Sequence, residues 1–296
     1  MTPRVLLASC AGLPSAHRDD APLVDALAAL GITADWARWD DPDTDFGAAE
    51  LVVLRSTWDY PERRAEFLAW CDAVPGLRNP AAAVRWNTSK HYLPELAARG
   101  VDVVPTQVLE PGDPPEWPVG EFALKPAVGA SSRGAARFGP GRLAEAAAHL
   151  AELRRDGGAV VVQPYQEAVD REGEVALVFL GGVYSHAFAK GPALAAAEPA
   201  EFRGGARHEV PAPGPWRALA ESALDAAAGM LGLPRRALLY ARVDLVRSAR
   251  GAPLLLELEL TEPFLGLRLA PGAPERFASA VRAELAAAVD RDFAVV

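Results

Sequence analysis

Two stretches towards the C-terminal end place charged side chains at a spacing of two. In Leu239-Tyr240-Ala241-Arg242-Val243-Asp244-Leu245, Arg242 and Asp244 alternate with aliphatic residues; in Leu256-Glu257-Leu258-Glu259-Leu260, two glutamates do the same. Side chains alternate across a β-strand, so each stretch predicts one charged face and one apolar face. A turn centred near Arg250 would pair the strands antiparallel, with Asp244 beside Glu257 and Glu259 one step further along. Three carboxylates on one face repel one another and are costly to leave unpaired when half-buried. A hard divalent cation resolves that conflict, and Mg²⁺ favours a few carboxylates together with substrate phosphates. A solvated outer face is the competing reading. Either strand alone favours it, whereas two adjacent acidic strands favour the metal without deciding the matter.

A second group of residues points to phosphate. Leu124-Lys125-Pro126 ends an apolar run, and Gly129-Ala130-Ser131-Ser132-Arg133-Gly134 follows. Small residues let backbone N–H groups approach phosphate oxygens, serine hydroxyls add donors, and Lys125 adds a charge. The lysine precedes the glycines, so this is not a Walker A loop; a flexible hairpin loop is the alternative. Val161-Val162-Gln163-Pro164-Tyr165-Gln166 ends another apolar run. Its backbone could meet a purine edge, with Asp170 or Glu167 near ribose hydroxyls, or it could be an ordinary strand exit. Lys190, on a strand with His186, has even claims to nucleotide phosphate and to no ligand; His186 reads as structural.

The elements that would carry these groups fall into an α/β order. Val5–Ser9 is a short buried-strand run; Asp19, Asp20 and Pro22 precede leucines at 23, 27 and 30 that stop at Gly31, a helix with its start and stop signals. Ile32–Trp39 and Leu51–Leu54 read as further strands, and Pro61 opens a helix with Phe67, Trp70 and Cys71 on one face. Strands alternating with helices predict a parallel sheet. Asn87-Thr88-Ser89 offers N-cap chemistry for a helix through Leu96 that Gly100 closes. Val101–Val108 reads as extended, and the prolines at 111, 114, 115 and 118 mark a surface loop or linker. A second unit follows: strands at 122–125, 135–138 and 160–163 with a helix at 143–153, then a hairpin of Val175–Leu180 and Val183–Ala189 around Gly181-Gly182. A helix through Leu219–Met230, strands at 238–246 and 254–260, and a helix from Phe277 to Ala288 complete the chain. No internal repeat is present.

Composition narrows the functional classes. The 296 residues carry 30 Lys and Arg against 39 Asp and Glu, a net charge of −9, which disfavours a phosphate-backbone-binding surface. Half of the residues are hydrophobic, enough for a sizeable core. No apolar run is long enough to span a membrane and no signal segment opens the sequence. Cys10 and Cys71 allow one bridge at most, so a reducing cytoplasm is the expected compartment.

Taken together, the motifs resemble the ATP-grasp superfamily. Leu54-Arg55-Ser56-Thr57-Trp58-Asp59-Tyr60-Pro61, Trp86-Asn87-x-x-Lys90, Lys125–Ser132, Gln163-Pro164-Tyr165 and Glu257–Pro263 further resemble the small ATP-grasp group that includes the cyclo-ligase of D-cycloserine biosynthesis, over nearly the whole chain. One departure stands out: the superfamily's usual Glu-x-Asn reads Glu257-Leu258-Glu259 here, which keeps an oxygen ligand and adds charge. The resemblance implies an α/β (α+β) ATP-grasp fold with an N-terminal Rossmann-like domain at 1–86, a central and lid subdomain at 87–166, and a C-terminal antiparallel-sheet, metal-binding subdomain at 167–296.

The same resemblance implies an ATP-dependent carboxylate–amine ligase with ATP and Mg²⁺ as cofactors. Lys90 and Lys125 would contact phosphates, Ser131 and Ser132 would form a lid, and Gln163, Tyr165 and Gln166 would bracket adenine. Asp170 would hold ribose, and Asp244, Glu257 and Glu259 would carry Mg²⁺. Arg242 would stabilise the transferring phosphoryl group. The substrate would be a small amino-acid-like carboxylate, closed or joined through a nitrogen; an intermolecular dipeptide ligase and a non-catalytic nucleotide-binding module are the alternatives. No nucleic acid or membrane partner is implied, and monomer and homodimer both stay open. For substrate contacts, Arg55, Ser56, Thr57 and Asp59 follow a buried strand where α/β sheets expose binding loops. Arg55 suits a carboxylate and Asp59 an ammonium, with Gly204 and Gly205 in a loop at the mouth. Packing between subdomains is the alternative for Trp58 and Tyr60 and the preferred reading for Trp86.

Overall fold

The computed structural model describes residues 2–15, 17–192, 194 and 207–293. The first layer holds β1 (Arg4–Ser9), α1 (Leu23–Ala28), β2 (Thr33–Arg38), β3 (Leu51–Ser56), α2 (Arg64–Ala73) and β4 (Leu77–Arg78). Its strands form a parallel sheet in the order β2-β1-β3-β4, as the strand–helix alternation predicts. β1 and β3 are central and buried along their apolar runs, the pattern of a parallel sheet covered on both faces. Two short helices, α3 (Ala81–Asn87) and α4 (Tyr92–Ala98), lead out of this layer.

The second layer comprises β5 (Gln107–Leu109), β6 (Phe122–Pro126), β7 (Ala136–Phe138), α5 (Leu143–Leu153) and β8 (Val160–Pro164). Its antiparallel strands run β5-β8-β6-β7. Ala146 and Leu150 of α5, one turn apart, close a small core with Phe122, Leu124, Phe138, Val160 and Val162.

After α6 (Ala168–Glu172) come β9 (Glu174–Leu180), β10 (Val183–Lys190), β11 (His208–Glu209), α7 (Gly214–Met230), β12 (Tyr240–Arg247), β13 (Pro253–Glu259) and α8 (Ala273–Phe293). These strands form an antiparallel sheet, β11-β10-β9-β12-β13. α7 buries Trp216, Ala220, Ala223, Leu224 and Ala227, a helical repeat, against Val243, Leu245 and Leu258. On the other face, Phe277 and Val281 of α8 meet Leu239 and Tyr240 and join Val5, Leu7, Leu23 and Val53 of the first layer in one core. The first and third layers are therefore fused through apolar packing, while the second keeps its own core.

Three expectations change. Asn87 ends α3 and caps no following helix, because α4 begins only at Tyr92. The 101–108 stretch is extended only at the Val103 bridge and from Gln107. The strand pair β12–β13 is not strictly alternating: its register shifts beyond Asp244, leaving Leu256 as an extra residue between partners. Among the described residues, no helix is long and apolar enough to cross a membrane.

Candidate active site

β12 and β13 bring the acidic residues together in the register their spacing predicts, Asp244 opposite Glu257 and Arg242 opposite Glu259. One carboxylate oxygen from each of Asp244, Glu257 and Glu259 lies within 4.8 Å of the others. Four cations crowd this face. Arg242 donates from Nε and Nη2 to both Asp244 oxygens at 2.9 Å and also pairs with Glu259. Lys190 Nζ reaches Asp244 at 2.7 Å and Glu174 at 2.6 Å, and Lys90 Nζ reaches Glu257 at 3.1 Å. Lys125, at the end of β6, faces the same group.

These groups perturb one another strongly. Burial opposes ionisation of Glu257, yet Lys90, Lys125 and Lys190 hold its carboxyl well below the usual carboxylate range. Asp244 is likewise held low against burial by Arg242 and Lys190. Glu259 is pushed up to about 7 by burial, relieved in part by Arg242 and aggravated by Glu257 and Asp244. Burial is the first cause of that shift and the neighbouring carboxylates add to it, while the three carboxylate oxygens within 4.8 Å of one another form an oxygen donor set. A hard cation with oxygen-ligand preference fits such a donor set. Burial, offset in part by Glu257, lowers the Lys125 amine.

Backbone clamps hold the β12–β13 edge in place. Asn87 Nδ2 donates to the Leu258 carbonyl at 2.8 Å while its Oδ1 accepts from Leu260 N at 2.6 Å. Asn79 makes three such contacts, donating from Nδ2 to the Leu260 and Tyr240 carbonyls and accepting at Oδ1 from Leu239 N. Tyr92 OH accepts from Leu258 N at 3.2 Å. Asn87 was legible as a polar residue near a helix end, but its service is to a strand 171 positions away.

The metal-type cluster borders a cavity of about 260 Å³ between the three layers. Its lining includes Lys90, Lys125, Ser131, Ser132, Gln163, Tyr165, Gln166, Lys190, Arg242, Glu257 and Glu259; Asp244 is wholly buried behind them. One end is apolar, with Val169, Val246 and the bulged Leu256 around Tyr165. Gln163 is fixed by a 2.9 Å bond to Thr106 Oγ1. The loop after β6 arches over the opening. Ser131 and Ser132 have φ of 56° and 55°, a left-handed conformation that costs a non-glycine residue about 1 kcal/mol or more. Arg133 ties this loop to the first layer, donating to Glu62 at 2.8 Å and to the Trp58 carbonyl at 3.0 Å.

Several expected contacts lie elsewhere. Arg55 is buried away from the cavity, and its guanidinium is taken up by Asp20 at 2.9 Å and by the Pro263 carbonyl at 3.0 Å. Ser56 donates to Asp20 at 3.2 Å, Thr57 is buried, and Asp59 accepts from Trp39 Nε1 at 2.9 Å. None of the four lines the cavity; from this segment Trp58 and Tyr60 do. Asp170 sits at the rim, bonded to Tyr165 OH at 2.6 Å and to Arg137 at 2.9 Å, and does not line the cavity. Gly204 and Gly205 fall outside the described residues. His186 is structural, its Nε2 bonded to the Leu265 carbonyl at 2.8 Å. Glu174, Glu262, Phe264, His17 and Arg207 also line the wall. Sequence reasoning missed Glu174, Glu262 and His17; Glu262 lies at the end of the acidic motif, and that adjacency was the available signal, while His17 carried none.

The model of the N-terminal domain of D-cycloserine synthetase DcsG matches residues 5–82. The cycloserine biosynthesis protein DcsG of Streptomyces lavendulae is 40% identical over 287 residues, covering 90% of this chain and 94% of that protein. The crystal structure of D-cycloserine synthetase DcsG superposes with a TM-score of 0.86 at 39% identity, over 95% of this chain and 99% of that one. A D-alanine–D-alanine ligase from Bacillus anthracis, solved with ATP, superposes with a TM-score of 0.66 at 14% identity, over 97% and 99% of the two chains, a likeness of fold alone.

Proposed function

The chain belongs to the DcsG family, it is an ATP-dependent ligase of the ATP-grasp fold, and we propose that it activates a small amino-acid-like carboxylate and closes it into a ring through a nitrogen of the same molecule. The observation that carries this reading is the three-carboxylate cluster at the border of a cavity that also presents Lys90, Lys125, Lys190 and Arg242. Such a set suits a polyphosphate and little else.

In this reading adenine lies against Val169, Val246 and Leu256, with Gln163, Tyr165 and Gln166 at its edges. Lys90 and Lys125 hold phosphates, joined by Lys190. Asp244, Glu257 and Glu259 would hold Mg²⁺, which would supply charge neutralisation to the phosphate oxygens. The substrate carboxylate oxygen attacks the γ-phosphorus; the bond to the β-bridging oxygen breaks, giving an acyl-phosphate and ADP. The nitrogen then attacks the acyl carbon, its proton departs, and phosphate leaves. Arg242 supports charge on the transferring group, where fixed donors contribute most of phosphoryl-transfer catalysis. A nitrogen held on the same molecule gains from proximity. The Ser131–Ser132 loop, tied down through Arg133, keeps water from the acyl-phosphate.

The proposal retains segments 1–86, 87–166 and 167–296 as functional units and a cytoplasmic location, in keeping with the free, buried Cys10 and Cys71. The test is ADP and phosphate release with Mg²⁺, ATP and pools of free amino acids. Substrate-dependent ADP with a product that contains no second amino acid supports ring closure. A dipeptide product overturns it in favour of intermolecular ligation, and no stimulated ADP from any pool defeats catalysis altogether.

A further inference from the structure

The cavity end opposite the apolar pocket is built on residues 262–265, whose four successive carbonyls are each held by a different side chain. Trp58 Nε1 donates to Glu262 O at 2.9 Å, Arg55 Nη2 to Pro263 O at 3.0 Å, Arg242 Nη1 to Phe264 O at 3.0 Å, and His186 Nε2 to Leu265 O at 2.8 Å. A backbone fixed at every residue presents its side chains with little freedom, the condition for a recognition surface. From this strap the side chains of Glu262 and Phe264 enter the cavity wall.

The charges at this end are unbalanced. The other acidic residues of the cavity wall are ion-paired, Glu174 to Lys190, Glu257 to Lys90 and Glu259 to Arg242. Glu262 is 8% exposed and has no such pair among the described residues. Burial, then the nearby Glu259, pushes its carboxyl well above the usual range, with Lys90 and Arg242 opposing the shift in part. On the Phe264 side, the Arg207 guanidinium stacks 4.4 Å from the ring centroid, and the His17 ring lies 5.8 Å from it. Burial and then Arg242 lower the Arg207 pKa, with Asp19 and Asp244 opposing the shift.

We propose that Glu262 and Arg207 recognise the two ends of a small zwitterionic amino acid, Glu262 its ammonium and Arg207 its carboxylate, against the Phe264 ring. This replaces Arg55 and Asp59 as the substrate contacts, and it rests on the ligase reading above. A guanidinium fork suits a carboxylate, and its place beside Arg242 puts that carboxylate next to the residue that supports phosphoryl transfer.

The experiment measures ADP release over a panel of free D- and L-amino acids, each beside its 2-hydroxy-acid counterpart, which lacks the ammonium. Stimulation by none of them defeats the ligase reading and this assignment with it. With a stimulating amino acid in hand, wild type should favour it over the hydroxy acid by about a hundredfold or more in kcat/KM. E262Q should raise the amino-acid KM at least tenfold, leave the KM for ATP within twofold, and abolish the discrimination. General damage to the fold leaves that ratio unchanged, so an E262Q enzyme that still discriminates overturns the assignment while the ligase reading stands. Should E262Q not fold, R207K, which keeps the charge and loses the fork, carries the test. A tenfold rise in amino-acid KM at constant KM for ATP is expected, and an unchanged KM overturns the assignment.

Discussion

Two buried arginines in this molecule look alike at short range and do different work. Arg55 pairs with Asp20 and donates to the Pro263 carbonyl; Arg242 pairs with Asp244 and donates to the carbonyl of the next residue, Phe264. Beyond those contacts they part. Behind the Arg55 guanidinium stand the Tyr240 and Phe277 rings, 5.2 and 5.8 Å away, and its one carboxylate completes the pairing. Around Arg242 stand Glu259, Glu257 and Lys190, on a face that opens to the cavity. Burial and a paired carboxylate therefore do not distinguish the two arginines. What distinguishes them is that only the Arg242 face opens to the cavity.

The largest expected effect breaks the symmetry on the cavity side. Replacing Glu257 by Gln keeps its size and removes one carboxylate of the cluster and the partner of Lys90. Turnover should fall on the order of a thousandfold or more, the scale seen when a preorganised charge contact is lost, with circular dichroism and melting close to wild type. Normal turnover in E257Q would contradict the metal assignment. At Arg55 the loss should be of stability. Arg55→Ala leaves Asp20 buried and unpaired and should cost about 3–5 kcal/mol, read by urea unfolding, while the KM for ATP of the folded fraction holds. The double replacement Arg55→Met with Asp20→Leu should recover most of that loss, since a sealed ion pair exchanged for apolar groups is often close to neutral. A double mutant as unstable as the single one would show that the pair does more than settle its own charge.

The sequence made the Arg242 side legible and misread the Arg55 side for a physical reason. Strand periodicity and the turn at Arg250 are local, so Asp244 opposite Glu257 followed from them. Even there the Leu256 bulge was hidden, because a register shift depends on both strands at once, and with it went the apolar floor of the nucleotide end. Arg55 follows a buried strand, where binding loops are common, but its partner Asp20 lies 35 positions away and could not be inferred from spacing. The same holds for Asn87, whose partners are in β13, and for His17 and Arg207, which become wall residues only through tertiary packing. Glu262 and Phe264 stood beside the recognisable motif, yet their exposure to the cavity depends on four side-chain clamps, from β3, the turn after it, β10 and β12.

The smallest effect tests the last of those clamps. His186 holds the Leu265 carbonyl through Nε2, with Ser185 Oγ at Nδ1, and faces Arg276 and Glu209 from the elements around it. Burial, opposed by the Leu265 contact and joined by Arg276, lowers its pKa below the ordinary 6.5. A histidine whose folded pKa is lowered is kept neutral in the fold, so the unfolded chain binds the proton first. Its stabilisation is complete above about pH 6.5 and is lost as pH falls through the unfolded and then the folded value, with a slope of at most about 1.4 kcal/mol per pH unit. H186Q keeps a donor for the carbonyl and does not titrate. Urea unfolding of both proteins between pH 8 and pH 5.5 should therefore show wild type losing stability relative to H186Q below pH 6.5, and parallel curves would refute the effect. His17, whose pKa is also lowered, is common to both proteins and cancels in the difference.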